Sequence, residues 1–174
     1  KEAIAFLDEA ISQEKMQKGD SFSAYFLREN LGDRARLHTK LGSHEKAVAD
    51  WEELMSSYRK EKDVWGSSCI AMAAYDRAVS LTGAQRWQEA IDEFERMVKA
   101  EEPSPLDNAP SLRLSDIYKN CPDPKFRDEK LAARYARLAE EKGAQMEGHR
   151  KRFGWLHAWP FELENTGPDG NLID

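Results

Sequence analysis

The chain has 174 residues, 40% of them hydrophobic and 33% charged, with a formal net charge of -6. That acidic balance excludes sequence-independent nucleic-acid binding, which needs a basic surface to release phosphate counterions. No apolar run approaches the roughly 18 residues of a membrane-crossing helix, and two cysteines, Cys69 and Cys121, cannot frame a disulfide-rich fold or a cysteine-based zinc site.

Lys1 opens inside a helical pattern without an initiator Met, so the sequence reads as a piece of a longer protein or as a mature form. The first predicted helix carries Glu2-Ala3-Ile4-Ala5-Phe6-Leu7-Asp8-Glu9-Ala10-Ile11. The second runs over Ser21–Leu41, where Phe22, Phe26, Leu31, Ala35, His38 and Leu41 recur near helical spacing. Gly32 lies in its middle, and Gly42-Ser43 ends it and caps the next.

The third helix repeats the first as Lys46-Ala47-Val48-Ala49-Asp50-Trp51-Glu52-Glu53-Leu54-Met55. Asp63 is the predicted cap of a fourth, which carries the small-residue stripe Ile70, Ala71, Ala74, Ala78 and Leu81 and stops at Thr82-Gly83. The pattern returns as Glu89-Ala90-Ile91-Asp92-Glu93-Phe94-Glu95-Arg96-Met97-Val98. Ala3, Ala47 and Ala90 thus stand 44 and 43 residues apart, and Leu131 follows 41 later in a looser copy.

Each copy places a small residue, a ring and an aliphatic residue on one helix stripe. A period in the low forties holds two helices of about 16–18 residues and two turns. Three prolines between Glu101 and Pro110 demand a loop. A short helix over Leu112, Leu114, Ile117 and Tyr118 closes at Cys121-Pro122-Asp123-Pro124, and Asp128 caps the next. That helix is expected to stop near Lys142-Gly143, with another over Ala144–Arg152. Phe153, Trp155, Leu156, Trp159 and Phe161 then crowd one tail. It either folds back as a cap on the last hairpin or docks on a partner or on a second chain, the latter a homodimer through Trp155 and Trp159.

Chemical constellations are missing. His44-Glu45 begins like the helical zinc-protease motif, but position 48 is Val where the second imidazole would stand. His38 falls on a packed stripe and reads as a core histidine. No basic residue is adjacent to Cys69 to activate its thiol, and Cys121 reads as a buried loop anchor. His149-Arg150-Lys151-Arg152 complements a helix C-terminus. With no nucleophile, base and stabiliser in one place, no catalytic residue, metal or cofactor is expected.

Gly42, His44, Ala47, Trp51 and Leu54, and again Gln85, Trp87, Ala90, Phe94 and Met97, resemble the signature positions of tetratricopeptide repeats. The period is 41–44 rather than about 34, with His44 for the usual aromatic and Leu54 and Met97 for alanine. Phe26-Leu27-Arg28-Glu29-Asn30-Leu31-Gly32-Asp33-Arg34-Ala35 with Leu41 to Ala47 is similar to repeats that follow the kinase domain in serine/threonine kinases of planctomycete-type bacteria. Cys121 to Asp128 with Ala132 and Ala136 resembles a loop and helix of tetratricopeptide proteins there. No kinase motif is present.

The resemblance implies an all-α, right-handed superhelical array of seven to eight helices in antiparallel hairpins over residues 1–152, with a largely non-helical capping tail at 153–174. It implies a concave face lined by Glu29, Asp33, Arg36 and Lys40, then by Met72, Tyr75, Asp76 and Val79. Asp33 and Tyr75 stand where the family's carboxylate-gripping pattern needs Asn or Lys. The expected role is a non-enzymatic module or scaffold that binds a peptide or protein segment, without nucleic acid or membrane. The alternative is a regulatory or dimerising segment of a larger bacterial signalling enzyme. The cytoplasm is the expected compartment.

Overall fold

A computed structural model describes residues 2–17, 21–58, 64–100 and 108–153. Among them the chain is all-helical: α1 (Glu2–Met16), α2 (Ser21–Lys40), α3 (His44–Tyr58), α4 (Val64–Gly83), α5 (Trp87–Lys99), α6 (Ala109–Asn120) and α7 (Glu129–Phe153), with a 3-10 turn at Pro124–Phe126. None of these helices is long and apolar enough to cross a membrane. The predicted cap Asp63, most of the proline loop and the Trp155/Trp159 tail lie outside the described residues.

The chain divides into two compact units, Lys1–Arg86 and Trp87–Asp174. In the first, hydrogen bonds fix the order of the helices. Ser23 Oγ donates to the Glu14 carbonyl at 3.2 Å and Arg34 Nη1 to Asp8 Oδ1 at 2.6 Å, so α2 runs antiparallel to α1. Arg28 Nη2 donates to the Ser57 carbonyl at 3.0 Å and Arg34 Nη2 to Asp50 Oδ1 at 2.6 Å, which sets α3 antiparallel to α2. Arg77 Nη2 reaches Glu52 Oε1 at 2.7 Å and Arg86 Nη1, just after α4, reaches Glu45 Oε2 at 3.0 Å, so α4 is antiparallel to α3. The even helices α2 and α4 therefore run parallel, and their Thr39 and Ser80 hydroxyls meet at 3.0 Å.

The core of this unit is the seam predicted by the repeat. Ile11, Leu31, Ala35, Ala47, Trp51, Leu54, Tyr58 and Ala73 form one buried cluster, edged by Leu27, Met55, Cys69 and Ile70. Small Ala35 and Ala47 admit the Trp51 ring, as the small-ring-aliphatic spacing requires. Two aromatic and aliphatic members of the expected α2 stripe depart from it. Phe26 and Leu41 are exposed, while Leu31, Ala35 and His38 are buried. At 3.6 residues per turn Phe26 falls in line with Glu29, Asp33, Arg36 and Lys40 on the opposite face.

Two turns share one geometry. After α2, Gly42 N–H donates to the Thr39 carbonyl at 3.0 Å and Ser43 N–H to the His38 carbonyl at 2.8 Å. After α4, 43 residues on, Gln85 N–H donates to the Thr82 carbonyl at 3.0 Å and Arg86 N–H to the Leu81 carbonyl at 2.9 Å. Both turns satisfy the last free helix carbonyls and need a left-handed residue. Gly42 sits there at φ 71 and Gln85 at φ 60. A side chain in that conformation costs about 1–2 kcal/mol, partly offset by the extra freedom glycine has when unfolded. Gln85→Gly is therefore expected to stabilise the chain by about 0.5–1 kcal/mol, seen as a higher urea midpoint, and Gly42→Ala to destabilise it by about 1 kcal/mol.

His44 packs as a helix-opening aromatic would. A Cβ built on Gly83 would run into the His44 ring, so glycine is what admits the imidazole against the end of α4.

In the second unit, Ala90, Ile91 and Phe94 of α5 are buried, as are Leu114, Ile117 and Tyr118 of α6 and Ala132, Tyr135 and Ala139 of α7. Asp128 caps α7 as expected, its Oδ1 accepting from Lys130 N–H at 2.9 Å and Leu131 N–H at 3.0 Å. The expected break at Lys142-Gly143 is absent: α7 is one helix of 25 residues through Gly143. Gly143 does not adopt the positive φ that a terminating glycine would use. Inside a helix it costs only about 1 kcal/mol relative to alanine, too little to end one.

Candidate functional site

The structure puts the α2 members of the predicted face on one solvent-exposed stripe. Glu29, Asp33, Arg36 and Lys40 are all exposed. Arg36 Nη1 pairs with Asp33 Oδ1 at 3.1 Å, and its guanidinium lies 5.6 Å from the centre of a Trp51 ring. Tyr25 and Phe26 extend the stripe, 53% and 38% exposed, with ring centroids 5.5 Å apart at 80°. An exposed pair of rings beside two acidic and then two basic residues is a surface that apolar and charged groups can both engage. The α4 members divide. Met72, Asp76 and Val79 are half-buried, but Tyr75 is only 4% exposed and acts as a packing residue.

A second polar feature lies along the α1–α2–α3 seam. Arg34 donates through Nε and Nη2 to the two Asp50 oxygens at 3.0 and 2.6 Å, and through Nη1 to Asp8 at 2.6 Å. Asp50 is 6% exposed, and this fork satisfies both of its oxygens. The Asp50 bonds are the main reason the Arg34 pKa is raised, desolvation working against them. One turn along, Ile4, His38 and Lys46 stand above this layer, and with Ala49 they line a pocket of about 270 Å³ floored by the ion triad.

His38 is 7% exposed and its Nδ1 is buried without a hydrogen-bond partner. Burial is the main cause that pushes its pKa below the ordinary 6.5. Asp50 opposes this, and Lys46 and Arg34 reinforce it. The unfolded chain therefore takes up a proton at higher pH than the folded chain. Stability from this site is complete above about pH 6.5 and is lost as pH falls through the folded value. His38→Leu is expected to flatten that loss, read as urea midpoints between about pH 7 and about pH 5. Sequence periodicity found His38 as a core residue. It missed the pocket, because the Arg34–Asp8–Asp50 contacts join three helices whose pairing no single helical stripe displays.

No family model, curated protein or solved structure matches the chain.

Geometry in the second unit is that of a brace. Tyr135 and Tyr118 hydroxyls donate to Glu95 Oε1 at 3.0 and 3.3 Å, and Lys99 Nζ pairs with Oε2 at 2.9 Å. The tyrosine rings stack at 5.8 Å and 5°. Lys99, then Tyr135, hold the Glu95 carboxyl below its usual range against the effect of burial. Burial and then Glu95 push Tyr118 up to about 12. One carboxylate thus ties α5, α6 and α7 together. Cys121 is buried, which pushes its thiol pKa up. Among the described residues no three His, Cys, Asp or Glu side chains gather to hold a metal ion.

Proposed function

We propose that the chain is a non-enzymatic interaction module of the tetratricopeptide kind, a superhelical array of hairpins that binds an extended peptide or a helix along the exposed face of α2. The observation that carries this reading is the stripe Tyr25, Phe26, Glu29, Asp33, Arg36 and Lys40, which leaves two rings and both signs of charge in water. Rings of this kind anchor peptides, and the charges fix register and direction. Two further observations support an array. The turn after α2 recurs after α4. The ion pair Arg34–Asp8 recurs as Arg77–Glu52, with the arginines 43 residues apart and the carboxylates 44. Repeats of this design curve into continuous binding surfaces.

The test is selection of peptides from a displayed random library. The unaltered chain is expected to enrich peptides that the Tyr25→Ser, Asp33→Lys, Lys40→Glu variant binds about tenfold more weakly or worse, a loss of about 1.4 kcal/mol. Far-UV circular dichroism and the urea midpoint of the variant should match the parent, since all three side chains are exposed. Enrichment of the same peptides with the same affinity by both proteins would refute this role for α2.

A further inference from the structure

The pocket above the Arg34 triad is separate from the α2 stripe and holds a feature that packing does not account for. His38 is more than nine-tenths buried, lines the cavity, and leaves Nδ1 unpaired. A buried polar atom without a partner costs stability. The repeat shows that the fold does not need it. Leu81 holds the corresponding place on α4, 43 residues on, and is fully buried. Likewise Val48, 44 residues after Ile4, is buried, whereas Ile4 lines the pocket and is half-buried. The later repeat closes this layer with aliphatic side chains, and the earlier one opens it around an imidazole. Sites where a sequence breaks its own packing rule are where function is expected.

The groups facing His38 define what would fit. From α1 come Ile4 and Asp8, from α2 Arg34, and from α3 Lys46, Ala49 and Asp50. Arg34 already spans both carboxylates. Lys46 is the cation on the rim, and the two carboxylates and two cations sum to zero. Ile4 and Ala49 offer an apolar wall. A volume of about 270 Å³ is below that of sites for drug-sized molecules and suits one with few heavy atoms.

We propose that this pocket binds a small organic carboxylate. Its carboxyl group pairs with Lys46 and with the edge of the His38 ring that borders the cavity, Nδ1 itself being closed off from it, and its short carbon chain lies on Ile4 and Ala49. Binding draws a proton onto His38, because an imidazolium balances the added negative charge beside Asp8 and Asp50. Affinity then falls up to tenfold per pH unit between the titration midpoint of His38 in the free protein and the higher midpoint in the complex.

The experiment is an NMR titration of the histidine ring resonances with butyrate, with butylammonium as the cation of the same shape. His38 is assigned by the signal lost in His38→Leu. Butyrate is expected to shift the His38 resonances saturably and to raise the midpoint of their pH titration. Lys46→Met, at an exposed position, is expected to weaken that effect about tenfold. His38→Leu is expected to fold, on the precedent of Leu81. If it does not, the Lys46→Met comparison still decides the question, with the assignment made by sequential NMR. His38 resonances unmoved by butyrate, moved equally by butylammonium, or moved with undiminished affinity in Lys46→Met would each overturn the proposal. None of these outcomes bears on peptide binding by α2.

Discussion

Replacing Arg34 with Leu is expected to destabilise the chain by about 3–5 kcal/mol, the usual cost of stranding a buried charge. The loss arises less from the missing ion pair than from what remains. Asp50 is 6% exposed, and its two oxygens receive Nε and Nη2 of this one guanidinium. Deleting Arg34 leaves that carboxylate desolvated and unpaired. The decisive comparison is the double variant Arg34→Leu/Asp50→Leu. Removing both charges in favour of apolar groups should recover most of the lost urea midpoint, because a buried pair and a well-packed apolar pair are often nearly equal in stability. Asp8 contributes little to this balance, since its side chain is 56% exposed and is solvated without help. A double variant as unstable as Arg34→Leu would show that Arg34 acts through packing of its stem alone.

Trp51→Ala is the second large effect, about 3–5 kcal/mol by urea titration. The ring is 2% exposed within the cluster of Ile11, Leu31, Ala35, Ala47, Leu54, Tyr58 and Ala73. Its neighbours come from all four helices of the first unit, so a cavity there loosens every interface at once. Trp51→Phe is a different matter. The Trp51 indole N–H is buried without a partner, and phenylalanine removes that cost along with part of the contact area. Phe94, 43 residues on, shows a phenyl ring fully buried at the corresponding place. Trp51→Phe is thus expected to cost less than about 1.5 kcal/mol, and a loss as large as that of Trp51→Ala would contradict this account of the ring.

The helices and their seams were legible because they rest on local spacing. Ala47, Trp51 and Leu54, and Ala90 and Phe94, announce a buried stripe from sequence alone, and Asp128 announces its cap. The exposed stripe was only half legible. Charged Glu29, Asp33, Arg36 and Lys40 mark it, but Phe26 also recurs near helical spacing with Leu31, Ala35 and His38, which are buried. Its helical alignment with those four charges was the signal that placed it in water. Gly143 misled for a related reason. Glycine ends a helix only when the chain needs a left-handed residue there, as at Gly42, and composition does not reveal that need. The pocket beside His38 was illegible, since it is a property of three helices whose side chains meet only after the chain has folded.

The recurrence of Arg34–Asp8 as Arg77–Glu52 has a consequence for folding fidelity. An ion pair that repeats at the repeat length cannot tell one interface from the next. Arg77 would find Asp8 as acceptable a partner as Glu52, so α4 could be drawn onto α1 with α2 and α3 looped out, within one chain or between two. Correct order must be enforced by groups that do not repeat. Arg28, whose Nε and Nη2 reach Ser57, is one, with its guanidinium 4.1 Å from the centre of the Tyr58 ring. Its counterpart 43 residues on is Ala71. The singular residues of a repetitive protein are then its proofreaders, and substitutions among them should raise the yield of mis-stacked or swapped species before they lower the stability of the native one.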